Sequence, residues 1–208
     1  MRIIDLSQAH DNEMSQFPGT PQVEIKQICN YDPDGFRLTD LHTVVHAGTH
    51  CDAPAHYIEG GKMIDEIPLD SFIGEAIIID VDVKDGREIP ASILEGKDVR
   101  KGDILLFRTN MSKYWKQEEY ITAYPYLSVG LAEKLIEIGV KAIGMDALSP
   151  DPVDSDRVHK IILGAGIIFI ENLNNLDKID VERFHFSAAP ILVANAEGGI
   201  ARAYAILE

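Results

Sequence analysis

Ser128 to Ile170, SVGLAEKLIEIGVKAIGMDALSPDPVDSDRVHKIILGAGIIFI, switches repeatedly between helical and extended patterns and so decides the class of fold. Ser128 stands where it can cap a helix whose apolar positions Leu131, Leu135, Ile136 and Ile138 recur at helical spacing, and Gly139 ends that helix. Ala142 to Met145 then reads as a strand. Asp154 to Leu163 reads as a second helix stopped by Gly164-Ala165-Gly166, and Ile167 to Ile170 as a buried strand. Helices alternating with short apolar strands predict a mixed α/β fold.

Working outward, the earlier part of the chain is rich in β-type runs: Arg2 to Leu6, Gln22 to Ile28, Phe36 to His46, Ala76 to Val83 and Ile104 to Arg108. Turn signals separate them at Phe17-Pro18-Gly19, Asp32-Pro33-Asp34-Gly35 and Lys84-Asp85-Gly86. Gly74 to Val83 is apolar on both faces for most of its length, the mark of a strand covered on both sides. The tail offers strands at Phe186 to Ala194 and Gly199 to Ile206, joined at Asn195-Ala196-Glu197-Gly198. With no repeat and no linker, residues 1–208 are expected to form a single domain with a mixed, β-rich core.

Hydrophobic residues make up 46% and charged residues 25% of the 208, the balance of a globular chain rather than a disordered one. The net charge of −15 argues against nucleic acid and anionic membrane as partners, because a phosphate-binding surface needs a basic patch; a small-molecule substrate is expected instead. Two cysteines, Cys29 and Cys51, make neither a disulfide framework nor a four-cysteine zinc pattern. Met1-Arg2-Ile3-Ile4-Asp5 lacks the apolar run of a signal peptide, and the apolar stretches are too short to span a bilayer, so the expected location is the cytoplasm.

The segment that carries chemistry is His46-Ala47-Gly48-Thr49-His50-Cys51-Asp52-Ala53-Pro54-Ala55-His56. Gly48, the β-branched Thr49 and Pro54 argue against a helix here. In extended chain, positions 46, 50, 52 and 56 fall on one face, which gathers three imidazoles and a carboxylate. Four residues of strand span roughly 13 Å, too far for His46 and His50 to share an ion at bond lengths of roughly 2 Å, so the chain has to bend, and Gly48 permits the bend. Cys51 has the opposite phase and reads as a small core residue. Taken singly, each histidine reads as a polar group on a solvated strand; together with Asp52 they read as a cation site.

This segment resembles the signature His-x-Gly-Thr-His-x-Asp-x-Pro-x-His of the metal-dependent cyclase-like hydrolases, the family of bacterial kynurenine formamidase and isatin hydrolase, at every specified position. Weaker resemblances extend over most of the chain: Ile4-Asp5-Leu6-Ser7, Phe17-Pro18-Gly19, Gly144-Met145-Asp146-Ala147-Leu148-Ser149, and Val158-His159-Lys160 through Glu171-Asn172-Leu173. The resemblance implies a swivelling β/β/α fold, a homo-oligomer (dimer or tetramer), and one or two divalent ions per subunit. His46, His50 and Asp52 would hold one ion, Asp52 would bridge to a second held by His159 and Glu171, and His56 would be the acid/base. Phe17 would contact substrate, at a place where a tryptophan is common in the kynurenine formamidase branch.

Imidazoles and carboxylates without thiolates suit Zn²⁺ first, with Mn²⁺ or Fe²⁺ as alternatives. The expected function is hydrolysis of a small amide, formamide or lactam by water that the metal activates, with His56 moving the proton. A cyclase or lyase acting on a small carbonyl substrate would use the same ions, and a non-catalytic metal-binding protein is the reading from another class. For His56 the alternative is a further ligand or a hydrogen-bond donor to one. His10, His42 and His185 read as surface or structural; of these His42 has the ligand phase. Tyr57, Phe72, Tyr114 and Trp115 are candidates for pocket wall or core.

Overall fold

The computed structural model describes residues 1–82 and 87–207; the turn expected at Lys84-Asp85-Gly86 and the end of the strand expected to reach Val83 lie outside the described residues. In chain order the strands are β1 (Arg2–Asp5), β2 (Glu24–Cys29), β3 (Leu38–His42), β4 (His50–Asp52), β5 (Ile73–Asp80), β6 (Glu88–Ile89), β7 (Ile104–Arg108), β8 (Tyr126–Leu127), β9 (Ala142–Met145), β10 (Ile168–Glu171), β11 (Arg183–Ser187), β12 (Gly198–Ile200) and β13 (Tyr204–Leu207). The helices are α1 (Tyr31–Asp34), α2 (Glu118–Thr122), α3 (Val129–Ile138) and α4 (Arg157–Gly164).

Nine strands build one mixed sheet in the order β1-β13-β11-β5-β7-β9-β10-β4-β12. Its middle, β5, β7, β9 and β10, is parallel. Antiparallel strands flank it on both sides. Successive residues of β5 explain the uninterrupted apolar run: Ala76 and Ile78 pack into one core with Leu106 and Ile170, whereas Ile77 and Ile79 pack into the other with Leu105, Phe107 and Phe169. α3 and α4 cover that second face through Leu131, Leu135, Ile162 and Leu163. The α/β fold with its β-rich core is thus as the sequence predicts.

α3 begins and ends where its sequence says it should. The Ser128 hydroxyl accepts from Leu131 N–H at 3.0 Å, and Gly139 takes φ +81° and returns its N–H to the Leu135 carbonyl. Other boundaries shift. α4 starts at Arg157 rather than Asp154, because residues 151–156 form a loop whose Asp151 carboxylate occupies the helix entry. The Phe36–His46 run is strand only over Leu38–His42, paired with β2 in a two-stranded hairpin outside the main sheet. The strand expected at Phe186–Ala194 is displaced to Arg183–Ser187, and Gly199–Ile206 divides into β12 and β13. Among the described residues no helix is long and apolar enough to cross a membrane.

Candidate metal centre

Residues 46–56 are not one straight strand, which corrects the single-face reading of that segment. Gly48 turns the chain at φ +59°, and a Cβ there would lie 2.8 Å from His10 Cε1, so both conformation and space favour glycine. Only His50–Asp52 is strand, and Pro54–His56 is a 3₁₀ turn. The bend brings His46 back towards Asp52, with Nδ1 2.8 Å from Asp52 Oδ1. The 3₁₀ turn brings His56 over His46, their rings stacked at 3.9 Å between centroids.

β4 is wedged between β10 and β12, and its register puts His50 opposite Glu171. Cross-strand partners share a face, so His50 Nε2 comes to 3.6 Å from Glu171 Oε2 and 3.3 Å from Asp52 Oδ1. The ring is fixed by its other nitrogen, since Nδ1 donates to the Gly48 carbonyl at 2.8 Å. Cys51 points the other way into the opposite core, where its thiol donates to the Ala188 carbonyl at 3.1 Å.

α4 contributes His159 from above the sheet. Its Nε2 lies 3.2 Å from Glu171 Oε1 and 3.5 Å from Asp52 Oδ2. Behind it, Asp151 Oδ2 accepts from both His159 Nδ1 and His159 N–H at 2.8 Å, and Asp151 Oδ1 accepts from Val158 N–H at 2.8 Å. One carboxylate therefore caps the helix and sets the imidazole tautomer, leaving Nε2 for the centre. Asp151 carries no sequence signal that separates it from the surrounding acidic loop. Thr49 ties the ends of the site together, accepting from Gln8 N–H and donating to the Asn172 carbonyl.

Every predicted ligand and His56 thus converge on one buried place. Among the described residues two sets of three potential ligand atoms each lie within 4.8 Å of one another, His46–Asp52–His56 and His50–Asp52–Glu171, with Asp52 common to both. His56 is grouped with His46, and Glu171 with His50, a different division from that implied by the family pattern. Among the described residues His46 Nε2 has no hydrogen-bond partner; it is buried, 3.4 Å from Glu197 Oε1. An orphaned imidazole nitrogen beside carboxylates with few protons to share is the donor set a divalent cation satisfies, so these residues fit such an ion.

The electrostatics agree. Burial acts to raise the Asp52 pKa, but the surrounding imidazoles overcome it and hold the carboxyl well below its usual range. Burial also opposes charge on His50 and His159. Asp52 and Glu171 nevertheless lift His50 to about 9, and Asp151, Asp52 and Glu171 lift His159 well above its ordinary value. Glu171 is raised, first by burial and then by the charge of Asp52. In the metal-free protein, protons do the work of cations at this centre. His56 differs: burial pushes it down to about 4, so near neutral pH it is an unprotonated base.

The centre opens into a cavity of about 260 Å³ walled on its apolar side by Phe17, Val44, Tyr57 and Leu148. Phe72 and Trp115 are packed elsewhere, in the core and against Tyr120, and Tyr114 is exposed, so none of these three walls the cavity. His42 and His185 are exposed on β3 and β11, while His10 is half-buried under the Gly48 turn and hydrogen-bonds the Ala47 carbonyl.

A family model described as "Putative cyclase" matches residues 4–152. Two enzymes named kynurenine formamidase, from Bacillus cytotoxicus and Salinibacter ruber, are each 30% identical to this chain, over 96% of it and 95% of the first, and over 98% of it and 96% of the second. Isatin hydrolase A from Labrenzia aggregata superposes with a TM-score of 0.87 at 25% identity, covering 98% of this chain and 93% of its own. A predicted metal-dependent hydrolase from Bacillus stearothermophilus superposes with a TM-score of 0.83 at 25% identity, covering 98% and 97%.

Proposed function

Because the chain belongs to the cyclase family of metal-dependent hydrolases, we propose that it cleaves a small aryl formamide, amide or lactam with its ions held by His46, His50, Asp52, His159 and Glu171. Metal-dependent hydrolysis of a non-peptide carbon–nitrogen bond is the activity of the family branch it matches. The observation that carries the assignment of residues is the position of Asp52, whose carboxylate belongs to both clusters of potential ligands and is 1% exposed. Zn²⁺ is the proposed metal, on a donor set of imidazole nitrogens and carboxylate oxygens.

When bound, the divalent ions supply Lewis acidity, which lowers the pKa of water and polarises a carbonyl. The chain's own groups do the rest. His56, neutral near pH 7, accepts the proton of the attacking water and delivers it to the departing nitrogen. Asp151 keeps the His159 ring in one tautomer. Phe17 and Tyr57 give an aromatic ring two apolar surfaces, and burial of the cavity floor keeps bulk water away from the reacting bond.

The test is turnover of N-formyl arylamines, isatin and small lactams by protein reconstituted with Zn²⁺, Mn²⁺ or Fe²⁺. Hydrolysis of at least one class, lost on chelation and restored by metal, is expected; metal-loaded protein inert towards all of them would overturn the assignment.

We propose further that the protein works as a homo-oligomer, dimer or tetramer, in the reducing cytoplasm. Two observations support this. The β2–β3 hairpin carries exposed Ile28, Phe36, Leu38 and Leu41 outside the main sheet, and Cys29 and Cys51 are both free thiols. Nucleic acid and membrane have no part in this reading.

A further inference from the structure

We propose that the side-chain amide of Asn172 donates a hydrogen bond from Nδ2 to the carbonyl oxygen of the substrate, an inference that rests on the amide-hydrolase reading above. Asn172 follows Glu171 directly, lines the same cavity, and is held at φ +57° with 4% of its surface exposed. Nearly all its polar atoms are spoken for. Its N–H donates to the Ala147 carbonyl at 3.2 Å, its own carbonyl accepts from the Thr49 hydroxyl at 2.7 Å, and Oδ1 accepts from the Tyr120 hydroxyl at 2.7 Å. Nδ2 alone has no protein partner among the described residues. Asn172 itself lines the cavity, so among the described residues Nδ2 is its one polar atom left to meet a ligand there.

Tyr120 fixes which way the amide faces. Its ring is fully buried, and Asn172 is the partner of its hydroxyl. A phenol has one proton to give, and stranding a buried donor costs about 1–3 kcal/mol. Turning the amide over would set Nδ2 against that oxygen and leave the phenolic proton unpaired, so Oδ1 stays with Tyr120 and Nδ2 is presented to the ligand.

Hydroxyls of Ser15, Thr20, Tyr57 and Ser149 also line the cavity, but among the described residues Asn172 is the side-chain amide there with an N–H to spare. Gln16 also lines the cavity, but its Oε1 accepts from Val23 N–H and its Nε2 donates to the Pro21 carbonyl. Among the described residues no lysine or arginine lines the cavity, and the carboxylates there can only accept. A substrate oxygen that gains negative charge as its carbonyl is attacked therefore finds in Asn172 a preorganised neutral N–H, whose bond strengthens as the charge develops.

Three variants separate this contact from a structural role. Asn172→Gly removes the donor while tolerating the left-handed backbone, Asn172→Asp keeps the shape but exchanges donor for acceptor, and Tyr120→Phe frees the amide to turn. With Zn²⁺-loaded protein and formanilide, the glycine and aspartate variants should lose about 10²-fold in kcat with little change in KM and with wild-type metal content. Tyr120→Phe should lose less. The preference for formanilide over thioformanilide should shrink in Asn172→Gly, because sulfur is a poor acceptor.

A kcat within about twofold of wild type in both Asn172 variants, or a loss that tracks loss of metal, would overturn the proposal. A readout independent of turnover is the Asn172 side-chain amide resonance, which should shift when formanilide is added. A shift without hydrolysis would sink the hydrolase reading and leave the contact standing, whereas hydrolysis without a shift would sink the contact alone.

Discussion

His56 is the residue whose chemistry departs most from its neighbours. His50 and His159 are surrounded by carboxylates and are raised, while His56 is stacked on His46 and pushed down to about 4 by burial. His56→Ala is expected to keep its metal and lose about 10²–10⁴ in kcat; metal analysis of the purified variant checks this, and loss of metal would make His56 a ligand. The same shifts set a pH dependence in the metal-free protein. Between the ordinary value of 6.5 and about 9 the native state holds protons at His50 that the unfolded chain has released, so that stabilisation is complete below pH 6.5 and is lost as pH rises through about 9. His56 acts oppositely, since from 6.5 down to about 4 the unfolded chain binds the extra proton and stability falls with pH. Metal-free Tm should therefore decline from pH 6.5 towards 9, and added metal should abolish the decline by replacing the protons; a metal-free Tm that rises across that window would contradict the centre described here.

At the scale of elements, local signals were legible where they are self-contained. Ser128 and Gly139 mark both ends of α3, and Ala142–Met145 is a strand as read, because capping and hydrophobic period need no distant partner. Gly48 was legible as a bend for the same reason. The phase argument for His56 reached the right neighbourhood by the wrong route, since Pro54 opens a 3₁₀ turn where an extended chain was expected. Asp151 was invisible because its role depends on reaching seven and eight residues ahead to the α4 amides. Asp151→Asn is expected to weaken metal affinity about 10–100-fold through the His159 tautomer, and to lower stability by about 1 kcal/mol through the helix cap. Titration of metal into the variant reads the first effect and thermal melting the second; unchanged affinity would leave Asp151 as a cap only. Gly48→Ala should cost about 1–3 kcal/mol, because a Cβ meets His10 at 2.8 Å and the φ is left-handed, with thermal melting again as the check.

Over the whole molecule, the site exists because strands remote in sequence are neighbours in the sheet. β4 sits between β10 and β12, so His50 and Asp52 meet Glu171 and the backbone of Ile200 and Gly198 across more than half the chain. No local pattern announces such pairing, which is why His159 and Glu171 could be assigned only through the weaker family resemblance outside the His46–His56 signature. Gly198 shows how tight the closure is: a Cβ there would lie 2.6 Å from His46 Cε1 and 2.9 Å from the Cys51 carbonyl. The exposed apolar side chains of the β2–β3 hairpin are the feature on which the proposed oligomer rests. Light scattering behind size exclusion should return a multiple of 23.0 kDa, and a lone 23.0 kDa species would remove the oligomer from the account.

The centre as a whole turns on Asp52, the carboxylate shared by both clusters. The most direct measurement is metal content per chain, by elemental analysis, of wild type and Asp52→Asn purified side by side and shown to be folded. Wild type should retain one or two divalent ions per chain and the variant almost none; a folded variant that keeps the wild-type content would mean that Asp52 does not hold the metal and that the site has been misassigned.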